Sequence, residues 1–111
     1  MNQITRDVAI LREEILPKIF SAGNPCKVIL FGSRARHQSG SGCDVDILLI
    51  ESSPLPRYRR AARYRRALKD LRLPKDILVW TPEEIAEWQN VPNAFINVIL
   101  REGVTLYEKQ D

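Results

Sequence analysis

The stretch "DVDILLI" at residues 44–50 opens with two carboxylates on alternate positions and then runs apolar to its end. Alternation along a strand points Asp44 and Asp46 to one face, a few ångströms apart. The apolar remainder, Ile47 to Ile50, asks to be covered on both faces. A chain with such a segment must bury a central strand between two layers while leaving the acidic end of that strand open to water. The pattern recurs in "KDILVW" at 75–80, where Asp76 precedes a second apolar run.

Other elements follow from periodicity. "KVILF" at 27–31 is short, β-branched and bounded by turn residues, a buried strand, and "VTLYE" near the C-terminus reads as a short edge strand. From Thr5 to about Phe20, Val8, Leu11, Ile15 and Ile19 recur at three and four, an amphipathic helix whose last turn Pro17 can kink. "RYRRAARYRRALKDLRL" after "SSPLP" predicts one helix with Tyr58, Ala61, Ala62, Leu68 and Leu71 as its apolar stripe, closed by Pro74. Thr81 as N-cap, Pro82 at the first helical position and Glu83 and Glu84 in the first turn start the next helix. "PNAFINVILREG" forms another, stopped by Gly103. "SRARHQ" opens a short helix and "SGSG" at 39–42 is a turn. Trp80 and Trp88 serve as core or interface anchors.

If the helix after "SSPLP" is a crossover between two parallel strands, Asp44, Asp46 and Asp76 fall at one end of the sheet. For the turn after Phe31 to reach that end, the first strand must run opposite to the second. The sequence therefore predicts an α+β fold: a small mixed sheet of three to four strands flanked by helices, one domain over residues 1–111.

Two like charges held that close repel unless a cation neutralises them. Three convergent carboxylates suit Mg²⁺, which takes hard oxygen ligands and is commonly held by a few carboxylates together with substrate phosphates. "FGS" supplies the other half: a strand ending in Gly32-Ser33 and turning into a helix presents backbone N–H groups and a hydroxyl to phosphate oxygens. Arg34 and Arg36 follow as cations able to meet a triphosphate. These parts describe metal-assisted nucleotidyl transfer with two ions, one gripping the phosphates and one lowering the pKa of an attacking hydroxyl. Asp76 completes the second site or accepts the proton.

Several classes are excluded on the same ground of residue supply. The GxxxxGK[ST] pattern of a P-loop is absent. Cys26 and Cys43 have no CxxC partner, and the one histidine, His37, leaves a zinc site short of ligands and sits in a solvated loop, so the cysteines read as reduced thiols. No apolar run exceeds about five residues, far short of a membrane span, and no greasy leader opens the chain, which points to the cytoplasm. The net charge of +3 conceals a division: residues 57–72 carry eight bases and one acid, the rest of the chain nine bases and thirteen acids. All the excess basicity lies on one element, which therefore offers a contact to an acidic partner or to nucleic acid.

"GSRARHQSGSGCDVD", with Gly-Ser, ten intervening residues and Asp-x-Asp, resembles the signature of the minimal nucleotidyltransferases within the DNA polymerase beta superfamily; with "KDILVWTPEEI" the likeness spans roughly residues 5 to 107. The resemblance implies that Gly32 and Ser33 bind nucleotide phosphates and that Asp44, Asp46 and Asp76 hold magnesium. It also implies an antitoxin role opposite a HEPN ribonuclease toxin, with AMP passed from ATP to a toxin tyrosine. Cys43 stands where the pattern often has Ser. Larger relatives use a second domain to shape the acceptor site, and a partner chain fills that role for a chain this short. Two other readings compete: a non-catalytic antitoxin that blocks its toxin by complex formation, and a small nucleic-acid-binding protein using residues 57–72. Interleaved tyrosines and arginines suit the latter, although tyrosines packed on the sheet are the favoured reading.

Overall fold

A computed structural model describes residues 6–32 and 44–110. The elements run α1 (Arg6–Ala22), β1 (Lys27–Phe31), β2 (Val45–Ile50), α2 (Arg57–Arg60), α3 (Ala62–Ala67), β3 (Lys75–Trp80), α4 (Pro82–Trp88), α5 (Phe95–Glu102) and β4 (Val104–Glu108). The expected helix opened by "SRARHQ" and the turn at 39–42 lie outside the described residues.

The four strands form one mixed sheet in the order β3-β2-β1-β4. β2 pairs parallel with β3 and antiparallel with β1, and β1 pairs antiparallel with β4. The apolar run of β2 thus earns an interior place, with buried residues on both faces. Val45, Ile47 and Leu49 pack with Val8, Leu11, Ile15 and Ile19 of α1 and with Tyr64 and Leu68 from the α3 side. Leu48 and Ile50 pack with Ile29 and with Ile96 and Ile99 of α5 on the opposite face. The expected α+β architecture is therefore present, with helices on both faces of the sheet. No helix among the described residues is long and apolar enough to cross a membrane.

The basic segment departs from expectation. It is two short helices broken at Ala61, not one, and its buried stripe is Ala61, Tyr64, Leu68 and Leu71. Tyr58 is 81% exposed and Ala62 is exposed as well. The reason is Arg60, only 8% exposed, whose guanidinium turns inward. Its Nε donates to the Leu55 carbonyl at 2.8 Å and its Nη1 to the Val79 carbonyl at 3.1 Å. Nη1 and Nη2 also donate to the two Glu84 carboxylate oxygens at 2.6 and 3.1 Å. The bidentate fork to Glu84 and the two carbonyl acceptors satisfy the buried guanidinium, and they fix the rotation of α2. Arg57 lies 4.0 Å from the centre of the Trp80 ring, which in turn meets Trp88 edge-to-face.

Glu84 does two jobs. Its Oε1 accepts the Thr81 N–H while the Thr81 hydroxyl accepts the Glu84 N–H, so the N-cap expected at Thr81 is closed as a reciprocal capping box. Hydrogen bonding from Arg60, against some desolvation, holds its carboxyl down at about 2 from an ordinary 4.5. At the far end of β2, the buried Glu51 carboxylate accepts from the Tyr64 hydroxyl (2.6 Å), Arg63 Nη2 (2.6 Å) and the Asn24 N–H (2.7 Å). Burial beside that carboxylate raises the Tyr64 pKa well above its usual value. A β-carbon at Gly23 would overlap the Tyr64 hydroxyl, so glycine is required where α1 ends.

Because the Glu84 pKa is depressed on folding, its contribution is complete above about pH 4.5 and is lost as pH falls toward 2. Denaturant unfolding from pH 6 down to 2.5 should show a steeper loss of stability in the native chain than in Glu84→Gln; parallel curves would contradict the pairing. Arg60→Leu at pH 7 should cost about 2–3 kcal/mol.

Candidate active site

The sheet register sets three residues in a row across its end. Phe31, the last residue of β1, is opposite Asp46, and Asp46 is opposite Asp76 on β3. Neighbouring strands lie about 4.8 Å apart, so the two acids are immediate neighbours. Alternation gives Asp46 the same face as Leu48 and Ile50, and Asp76 the same face as Leu78 and Trp80, which is the face that α5 covers. Asp46 is half-buried and Asp76 exposed. Asp44, also exposed, stands one residue before β2, ahead of Val45, whose N–H donates to the Pro74 carbonyl at 2.8 Å.

Gly32 closes β1 with φ of +78°, the left-handed region that favours glycine. Its backbone also lies against Asp46, since a β-carbon there would overlap the Asp46 carboxylate. Two independent constraints, conformation and space, thus exclude a side chain at the point where Gly32 meets Asp46. Ser33, Arg34 and Arg36 lie outside the described residues, as does Cys43.

Among the described residues no three His, Cys, Asp or Glu side chains stand close enough together to hold a metal ion. The donor set nonetheless fits magnesium as that ion is ordinarily bound, through one or two carboxylates completed by substrate phosphates rather than by an all-protein cage. Asp46 and Asp76 in register give two hard oxygen donors, and the Gly32 backbone lies against the first of them. Periodicity did not disclose the neighbouring cleft of about 230 Å³, where Phe31, Gly32 and Asp46 meet Phe95, Val98 and Glu102. Its one legible trace was the spacing of Phe95, Val98 and Glu102 along a helical face.

Residues 13–111 match the family described as polymerase beta, nucleotidyltransferase. The chain belongs to that family. No curated protein matches the chain. Among solved structures, a toxin-antitoxin crystallised with AMP-PNP superposes with a TM-score of 0.66 at 15% identity, covering 89% of this chain and 74% of the other. A Sulfolobus solfataricus protein proposed to be a nucleotidyltransferase gives 0.56 at 21% identity, covering 87% and 76%. At such identities the likeness of this polymerase beta nucleotidyltransferase to them is one of fold.

Gly32→Ala should cost about 1–2 kcal/mol from its left-handed backbone alone, measured by urea unfolding, and an unchanged midpoint would contradict the constraint.

Proposed function

We propose that this chain is a magnesium-dependent nucleotidyltransferase that passes AMP from ATP to a hydroxyl, a tyrosine of a HEPN-type toxin, and so acts as the antitoxin of that pair. The observation that carries the reading is the in-register pair Asp46 and Asp76 with Gly32 seated against Asp46, in a chain of the polymerase beta nucleotidyltransferase family. The structural neighbour described as a toxin-antitoxin with AMP-PNP supports both the nucleotide and the biological setting.

In this reading Gly32 and Ser33 bind the phosphates through their N–H groups and the serine hydroxyl, and Arg34 and Arg36 meet the triphosphate charge. Asp46 and Asp76, together with substrate phosphates, are the residues that would hold Mg²⁺, with Asp44 one residue ahead of β2 as the further acid of the motif; the ion when bound would neutralise phosphate charge and lower the pKa of the acceptor hydroxyl. The acceptor oxygen bonds to the α-phosphorus, the bond from that phosphorus to the bridging oxygen breaks, and pyrophosphate departs. The hydroxyl proton passes to a carboxylate, Asp76 in this reading, and then to water. Rate enhancement comes mainly from positioning and electrostatic stabilisation of the developing charge.

One observation favours a further contact. Beyond the other end of β2, which lies about 13 Å from Asp46 by strand rise, an open hollow of about 700 Å³ is bordered by Ser52, Leu55, Tyr58, Arg59, Arg63 and Arg66. Exposed Tyr58 among arginines suits an acidic partner surface or a nucleic acid. RNA binding that is absent or insensitive to salt would remove the nucleic-acid form of this reading.

Incubation with α-labelled ATP, Mg²⁺ and the product of the adjacent gene should label that product, and Asp46→Asn should lower the labelling by roughly 100-fold or more. Label transferred at the native rate by Asp46→Asn would contradict the assignment. A variant that no longer transfers AMP yet still protects cells from the toxin would favour antitoxin action by complex formation alone.

A further inference from the structure

The assignment above accounts for phosphates, metal and acceptor but leaves the nucleobase without a place. We infer that the cleft between α5 and the ends of β1 and β2 is the base slot, and that it selects a base bearing an exocyclic amino group, adenine foremost; this rests on the nucleotidyltransferase reading. Phe95, Val98 and Glu102 are spaced three and four apart, so they share one face of α5. That face looks across to Phe31, Gly32 and Asp46. Ile96 and Ile99 meanwhile anchor the helix in the core.

Size, surface and position agree. At about 230 Å³ the cleft falls below the roughly 300–1,000 Å³ of sites for drug-sized ligands. It holds one ring system, not a whole nucleotide. Phe95 is 64% exposed, and it meets Phe31 edge-to-face at 6.0 Å, an arrangement that leaves an aromatic face open for stacking. Stacking on an aromatic side chain suits any base. Discrimination falls to Glu102, which lies about 10 Å along α5 from Phe95. Its carboxylate only accepts hydrogen bonds, so it favours an amino group and repels a carbonyl oxygen at the same position. A triphosphate seated at Gly32 would place its base beside this wall, because Gly32 and Asp46 line the same cleft.

Calorimetric titration of the full chain with Mg²⁺ and, in turn, ATP, ITP and inorganic tripolyphosphate tests the inference. The native chain should bind ATP more tightly than tripolyphosphate and more tightly than ITP. Phe95→Ala should weaken ATP about tenfold, leave tripolyphosphate unchanged and keep the native circular dichroism, since its ring is largely exposed. Glu102→Gln should reduce the preference of ATP over ITP. If ATP binds no better than tripolyphosphate, or if Phe95→Ala binds ATP normally, the slot is wrong while the nucleotidyltransferase reading stands. If none of the three ligands binds, both fall. A Phe95→Ala effect confined to complex formation with the partner protein would make the cleft a docking site and overturn the inference.

Discussion

The pairing of β2 with strands of opposite direction on its two sides is the constraint from which the rest follows. Parallel pairing with β3 brings Asp46 level with Asp76, and antiparallel pairing with β1 brings the turn after Phe31 to the same edge. A slip of one residue in either pairing would turn every side chain to the opposite face and separate the acids. The register is held by burial: Ile47 and Leu49 on one face and Leu48 and Ile50 on the other have no alternative place. An apolar strand buried on both sides thus fixes the position of charges that, in themselves, favour neither burial nor proximity.

The far end of the sheet supplies the tolerance for that arrangement. Tyr64 and Arg63 gather on the buried Glu51 carboxylate, and the buried Arg60 pairs with Glu84; together they tie α2, α3, β3, α4 and the turn after α1 to the strand ends. Each carboxylate there has several donors. No buried side-chain nitrogen or oxygen among the described residues lacks a partner.

Much of the fold was legible because it depends on local period and on local turn chemistry. The 3.6-residue spacing of Val8, Leu11, Ile15 and Ile19 found α1, and Thr81-Pro82 found the start of α4. Direction was legible too, since parallel β2 and β3 require a crossover. What stayed hidden depends on partners distant in sequence. Nothing in "RYRRAARYRR" shows that Arg60 turns inward and Tyr58 outward, because the acceptors are the Leu55 and Val79 carbonyls and Glu84. Tyr64 is buried for a similar reason: Glu51, thirteen residues earlier, receives its hydroxyl. At the candidate site, Asp46, Asp76 and Gly32 could be named from strand alternation. Phe95 and Glu102 could not, since their relevance depends on how α5 docks.

The account stands on a divalent ion and a triphosphate meeting at one strand edge. Crystals grown with Mn²⁺ and a non-hydrolysable ATP analogue, with anomalous diffraction recorded at the manganese edge, test this most directly. The account predicts anomalous density bridged by the carboxylates of Asp46 and Asp76, with the phosphates against the Gly32 backbone. Density elsewhere on the molecule, or an Asp76 side chain turned off the α5 face and away from Asp46, would contradict it.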